Sequence, residues 1–122
     1  MYVEIGDIFW FDVTYPSTGE TETRPVVIID IIDDTPVFAT FATITGSNIK
    51  DFNDRFDKWK VPLFQWEHAG LEKGSYVKAN CIAQVEASAF KKEDYIGKIH
   101  PYDLKNVNKK VEEFINSEED PW

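Results

Sequence analysis

A chain of 122 residues, 43% apolar and 15% aromatic, has the material for one packed core. That excludes a disordered chain and is too short for two independent cores. The formal net charge of −9 repels polyphosphate overall, so any contact with nucleic acid has to come from a local basic patch.

The charge is unevenly spread. Residues 1–34 hold eight acids against Arg24 alone, whereas residues 35–60 set Lys50, Arg55, Lys58 and Lys60 against three aspartates. Cys81, the single cysteine, excludes an internal disulfide and favours a reducing compartment. Met1 to Asp7 has neither the basic start nor the apolar stretch of a signal peptide, and the longest apolar run, Val26 to Ile29, is far too short to cross a bilayer. A cytoplasmic protein with no membrane contact is expected.

Gly6-Asp7 opens a first strand, Ile8 to Val13, rich in aromatic and β-branched residues. Tyr15 to Thr23, with Pro16, Ser17 and Gly19, reads as a surface loop ended by Arg24-Pro25. Val26 to Ile32 is nearly all apolar, as a central strand covered on both faces should be. Asp33 to Pro36 makes a turn, and Val37 to Thr45 is the next strand.

From Gly46 to Lys60 the pattern changes. Ile49, Phe52, Phe56 and Trp59 fall three, four and three apart, which predicts a short amphipathic helical insertion. Val61 to Trp66 is at best an edge strand because of Pro62. Ser75 to Ala79, Ile82 to Glu86 and Tyr95 to Ile99 are three more short strands. Pro101 then opens a helix, with Asp103 placing a carboxylate near its N-terminus. Leu104, Val107, Val111, Phe114 and Ile115 form the buried stripe. The acidic tail 118–122 is expected to fray. Together these elements predict a mainly β (α+β) fold, a small closed or half-closed sheet finished by a C-terminal helix, as a single domain over 1–122.

No phosphate-binding loop, dinucleotide fingerprint or zinc-type cysteine pair is present. His68 and His100 stand alone as loop or cap residues, and Cys81 has no base to activate it and is expected in the core. Arg24 is more informative. Held by the rigid Arg24-Pro25 unit, its guanidinium can grip a phosphate with two parallel hydrogen bonds; alternatively it only offsets Glu20 and Glu22.

In order along the chain, Gly6-Asp7-Ile8-Phe9-Trp10-Phe11-Asp12, Arg24-Pro25-Val26-Val27-Ile28-Ile29 and Thr43-Ile44-Thr45 are followed by His68-Ala69-Gly70-Leu71, Ser75-Tyr76-Val77, Ile96-Gly97-Lys98-Ile99 and the helix through Asp103-Leu104. This series resembles the MazF/PemK family of toxins from bacterial toxin–antitoxin pairs, and it spans nearly the whole chain. The resemblance implies an SH3-like barrel of five to seven strands with a C-terminal helix, assembled as a homodimer. It also implies sequence-selective, metal-independent endoribonuclease activity on single-stranded RNA, without a cofactor. In that activity the ribose 2′-hydroxyl attacks its own phosphate. Arg24 falls on the family's arginine and Thr45 on its threonine or serine, implying catalytic roles. Thr43, two residues back on the same strand face, is the alternative hydroxyl. RNA contacts are expected from Thr43, Ser47, Lys50, Lys78 and Asn80, with Lys60 a further candidate. The partner implied is an antitoxin whose tail occupies the same groove.

The sequence departs from the family where a Gln-Ile-Arg segment often follows the Ser75 strand: here Cys81-Ile82-Ala83 stands, and the groove arginine is missing. That departure and the acidic balance motivate a rival reading, a catalytically inactive MazF-like barrel that binds a protein or peptide. A third reading, an enzyme acting on a small ligand, requires a deep aromatic-lined pocket.

Overall fold

The computed structural model describes residues 3–50, 53–54 and 57–120. Six strands and one α-helix follow one another: β1 (Asp7–Thr14), β2 (Thr21–Ile32), β3 (Phe38–Thr45), β4 (Lys60–Pro62), β5 (Tyr76–Glu86), β6 (Tyr95–Lys98) and α1 (Pro101–Ser117). They form one antiparallel sheet in the order β4-β5-β3-β2-β1-β6.

The central strands are apolar on both faces because both are covered. Ile8, Val27, Ala42, Ile44 and Val77 pack under Val107, Val111 and Phe114 of α1. On the other face Phe9, Val13, Val26, Ile28 and Phe41 gather around Phe90, whose ring lies 4.7 Å from that of Phe11 and 5.2 Å from that of Phe9. Alternation along β2 therefore sends Val26 and Ile28 to one core and Val27 to the other.

The sheet stays open along its ladder, with β4 and β6 at its ends. Backbone packing bridges the gap: a Cβ on Gly97 of β6 would lie 2.2 Å from the Ala69 carbonyl oxygen, and one on Gly70 2.7 Å from that of Ile96. Gly97→Ala has to push two main chains apart, with an expected cost of about 1–3 kcal/mol. Gly74→Ala, where a Cβ meets nothing within 4 Å, is the control, and urea unfolding of both variants reads the difference.

Several expectations change: β2 already begins at Thr21, so Arg24-Pro25 lies within it rather than ending a loop, and β4 stops at Pro62 instead of reaching Trp66. Ser75 to Ala79 and Ile82 to Glu86 are one strand, β5, carrying a bulge. Ala42 pairs with Ile82 and Thr43 with Lys78, which leaves Ala79 to Cys81 without partners on β3. That irregularity breaks the alternation and makes one strand look like two. The helical insertion is not seen: described residues of 46–60 form turns and extended chain leading into β4. Trp59 is buried against Phe114, ring centroids 5.2 Å apart, while Phe52 and Phe56 lie outside the described residues. Ile115, assigned to the helix stripe, is 59% exposed.

Pro101 takes the first turn of α1, as expected, and His100 caps it by accepting the Tyr102 N–H at Nδ1, 3.1 Å away. The tail is held in part. Glu119 pairs with Lys58 at 2.7 Å, and residues 121 and 122 lie outside the described set. Among the described residues no helix is long and apolar enough to cross a membrane.

Candidate functional site

The β2–β3 ladder ends at the pair Val26–Thr43. The next β2 residue outward is Pro25, which has no N–H to donate, and beyond that pair the two strands part. A groove of about 370 Å³ opens there, lined by Trp10, Arg24, Pro25, Thr45, Gly46 and Lys73 among others. Arg24 and Thr45, far apart in sequence, thus share one cleft. Continued outward by two residues, the ladder would set them opposite each other.

Arg24 is half-exposed and held. Its Nη2 lies 2.7 Å and its Nε 2.8 Å from the same Glu22 carboxylate oxygen. That hydrogen bond is the main reason its pKa is raised further, with partial burial acting against it. The guanidinium also interacts with the Tyr15 phenol, whose pKa burial raises and Arg24 lowers. Lys78 reaches the same place from β5, its Nζ 5.6 Å from the centre of the Tyr15 ring. A half-exposed pair of this kind is weak and easily exchanged for another anion.

Thr45 Oγ1 accepts the Ser47 N–H at 3.1 Å, leaving the hydroxyl proton to donate into the groove. Thr43 is the correction. It is 1% exposed, and its hydroxyl donates to the Cys81 carbonyl at 3.3 Å. The Cys81 carbonyl belongs to the bulge in β5, so the Thr43 hydroxyl is engaged in the interior. Asn80 is likewise buried, accepting from the Cys81 thiol at 3.7 Å, and is not presented at the surface.

Ser47 and Lys50 are exposed on the segment after β3, where the Lys50 N–H donates to Asp57 at 3.0 Å. Lys60 is engaged with Asp57 at 2.8 Å and with the Asn48 carbonyl at 3.3 Å. Ala83, where the family's arginine would stand, packs against the Phe9 cluster. Cys81 is buried, and burial pushes its thiol pKa up, Lys78 opposing. His68 and His100 meet edge to face, ring centroids 5.1 Å apart.

Two groove residues were not singled out from sequence. Lys73 is exposed, and its Nζ would come within 2.8 Å of a Cβ on Gly46; among the described residues it forms no ion pair or hydrogen bond through its side chain. Trp10 is 45% exposed at the groove's edge. Lys73 sits in a loop without periodicity and so gives no signal, whereas a tryptophan on an exposed face of β1 is a legible oddity.

A guanidinium, a primary amine and a hydroxyl around one open cleft can hold a phosphodiester and stabilise added negative charge on it. The fold and the cleft together define a class: a small antiparallel β-sheet finished by a C-terminal helix, with a groove lined by Arg24, Lys73 and Glu72 where two central strands part. The chain belongs to the family described as the PemK-like, MazF-like toxin of type II toxin-antitoxin systems, which it matches over residues 4–115.

Solved structures of similar shape include MazF (Form-I) from Deinococcus radiodurans, with a TM-score of 0.65 at 17% identity, covering 95% of this chain and 99% of that one. The Mycobacterium tuberculosis toxin MazF-mt6 gives 0.61 at 17% identity over 95% and 99%. An endoribonuclease solved in complex with its cognate antitoxin, from a mycobacterial species, gives 0.62 at 16% identity over 97% and 94%. No curated protein matches the chain significantly in sequence.

Proposed function

We propose that the protein is the toxin of a toxin–antitoxin pair and a sequence-selective endoribonuclease that cuts single-stranded RNA without a metal ion. The observation that carries this reading is the meeting of Arg24 and Thr45 in one groove, in a chain of this toxin family. The ribose 2′-hydroxyl gives up its proton to solvent as its oxygen attacks the adjacent phosphorus, the bond from phosphorus to the 5′-oxygen breaks, and that oxygen takes up a proton from solvent. The products are a 2′,3′-cyclic phosphate and a 5′-hydroxyl end. Arg24 faces the charge that grows on the phosphorane oxygens, where a positioned cation stabilises the transition state more than the ground state. Thr45 donates its hydroxyl to the scissile phosphate, and Lys73 adds a second charge.

Glu22 occupies Arg24 at rest and yields when a phosphate arrives. Glu22→Gln is therefore expected to lower KM about two- to five-fold at low salt, the worth of a half-exposed ion pair. A tenfold fall in kcat would instead place Glu22 in the chemistry. The partner proposed is an antitoxin whose acidic tail competes for the same groove. A homodimer, a cytoplasmic location and a single domain over 1–122 complete the proposal. The net charge of −9 and the Glu22 pairing of Arg24 favour one rival, a silent barrel that only binds a peptide.

The test is incubation of the purified protein with a long single-stranded RNA of diverse sequence, followed by mapping of the new ends. Cuts at a short recurring motif are expected. Intact RNA at enzyme excess, with folding verified, would move the weight to the binding module.

A further inference from the structure

Trp10 is a large aromatic left exposed at the rim of the groove that Arg24 also lines, on the sheet face opposite the one Arg24 shares with Phe11. On β1 its neighbour Phe9 is fully buried, whereas Trp10 stands opposite Pro25, next to Arg24 on β2, and is 45% exposed. Its ring meets no other aromatic ring among the described residues, unlike Phe9, Phe11, Phe41 and Phe90, which pack on one another. It forms a wall common to two depressions, the groove of about 370 Å³ holding Arg24 and Thr45 and a second of about 390 Å³ reaching Lys91 and Asp94. A single strand running from the one depression into the other crosses the indole.

An indole held open on a strand, at the rim of a groove that Arg24 and Lys73 also line, is an arrangement that single-stranded nucleic acid uses for base stacking. We propose that Trp10 is the stacking platform for a nucleobase flanking the scissile phosphate, so that the groove contains a base subsite as well as a phosphate site. The proposal rests on the RNA reading above. Pro25 and Thr23 border the indole across the strand pair, and the Thr23 hydroxyl is committed to Asp12 at 2.6 Å. The platform's neighbours are thus already satisfied, and the ring face is what it offers. Stacking of this kind tolerates any base, so Trp10 sets affinity and register more than sequence choice.

The experiment compares wild type, Trp10→Phe and Trp10→Ala on a short RNA carrying the mapped cleavage site, with KM and kcat separated. Trp10→Ala is expected to raise KM roughly 5- to 150-fold, the loss of one base stack, with kcat little changed and Trp10→Phe close to wild type. Substrates with an abasic residue at each flanking position give the decisive readout. At one position base removal weakens the wild type and leaves Trp10→Ala unaffected.

If the wild type cuts and Trp10→Ala behaves like it, the base subsite is overturned while the ribonuclease reading stands. If the wild type cuts nothing, so that no site is mapped, affinity for a labelled single-stranded RNA of mixed sequence, measured by anisotropy, supplies the comparison, and equal binding by both variants overturns the subsite. Sedimentation equilibrium covers the other occupant: a wild-type dimer that dissociates in Trp10→Ala, with unchanged RNA affinity per site, would mean that a second copy covers the indole.

Discussion

Arg24→Ala is expected to lower kcat for RNA cleavage by about 10²- to 10³-fold, the usual consequence of removing one preorganised donor from a developing oxyanion. The fold should not suffer, because the side chain is 42% exposed and its ion pair with Glu22 is equally so. Unchanged thermal unfolding alongside lost cleavage would therefore locate the effect in chemistry. Arg24→Lys separates charge from geometry. It keeps the cation and loses the planar fork, so partial recovery is expected, well short of wild type. Single-turnover rates at saturating RNA read both variants. A kcat within threefold of wild type for Arg24→Ala would remove Arg24 from the mechanism.

The second large effect is on stability. Asp103 is 1% exposed, and its two carboxylate oxygens accept the Phe64 N–H at 3.2 Å and the Gln65 N–H at 2.8 Å. These bonds tie the first turn of α1 to the segment after β4. That segment continues through Ala69 and Gly70, which press on β6. Asp103→Ala strands two backbone donors and removes the acid from the helix first turn, an expected loss of roughly 2–5 kcal/mol. For a domain of this size that is a fall in Tm on the order of 10–20 °C. Asp103→Asn keeps an acceptor and should lose about half as much. Calorimetry on the two variants checks the order.

The strands were legible because burial dictates them. Val26 to Ile29 reads as apolar on both sides, and both sides are covered. The start of α1 was legible from Pro101 for the same local reason, although Asp103 does more than favour the helix end: it holds a loop some 40 positions away in sequence, which no local pattern reveals. The continuous β5 was hidden by three residues that have no partners on β3. The insertion read as helical from apolar spacing, yet its described part is fixed by individual bonds, such as that between the Tyr76 hydroxyl and Asn48 at 2.6 Å.

At the site, the family resemblance pointed to Arg24 and Thr45. The choice between Thr45 and Thr43 was not available from strand alternation, since both point the same way. Burial separates them: one faces a cleft and the other sits under a bulge. Asn80 is buried as well, with its side chain engaged by the Cys81 thiol. Lys73 joins the groove only through the packing of its loop over Gly46, a tertiary fact without a sequence signature.

The central claim is RNA cleavage by 2′-hydroxyl attack in the Arg24 groove. Its most direct test uses a short RNA carrying the cleavage site and a twin with a single 2′-deoxyribose at the cut position, each incubated with wild-type protein in excess EDTA. Cleavage of the first to a 2′,3′-cyclic phosphate and a 5′-hydroxyl end, with the twin left whole, is the predicted result. Loss of cleavage in EDTA, or cutting of the deoxy twin, would contradict it.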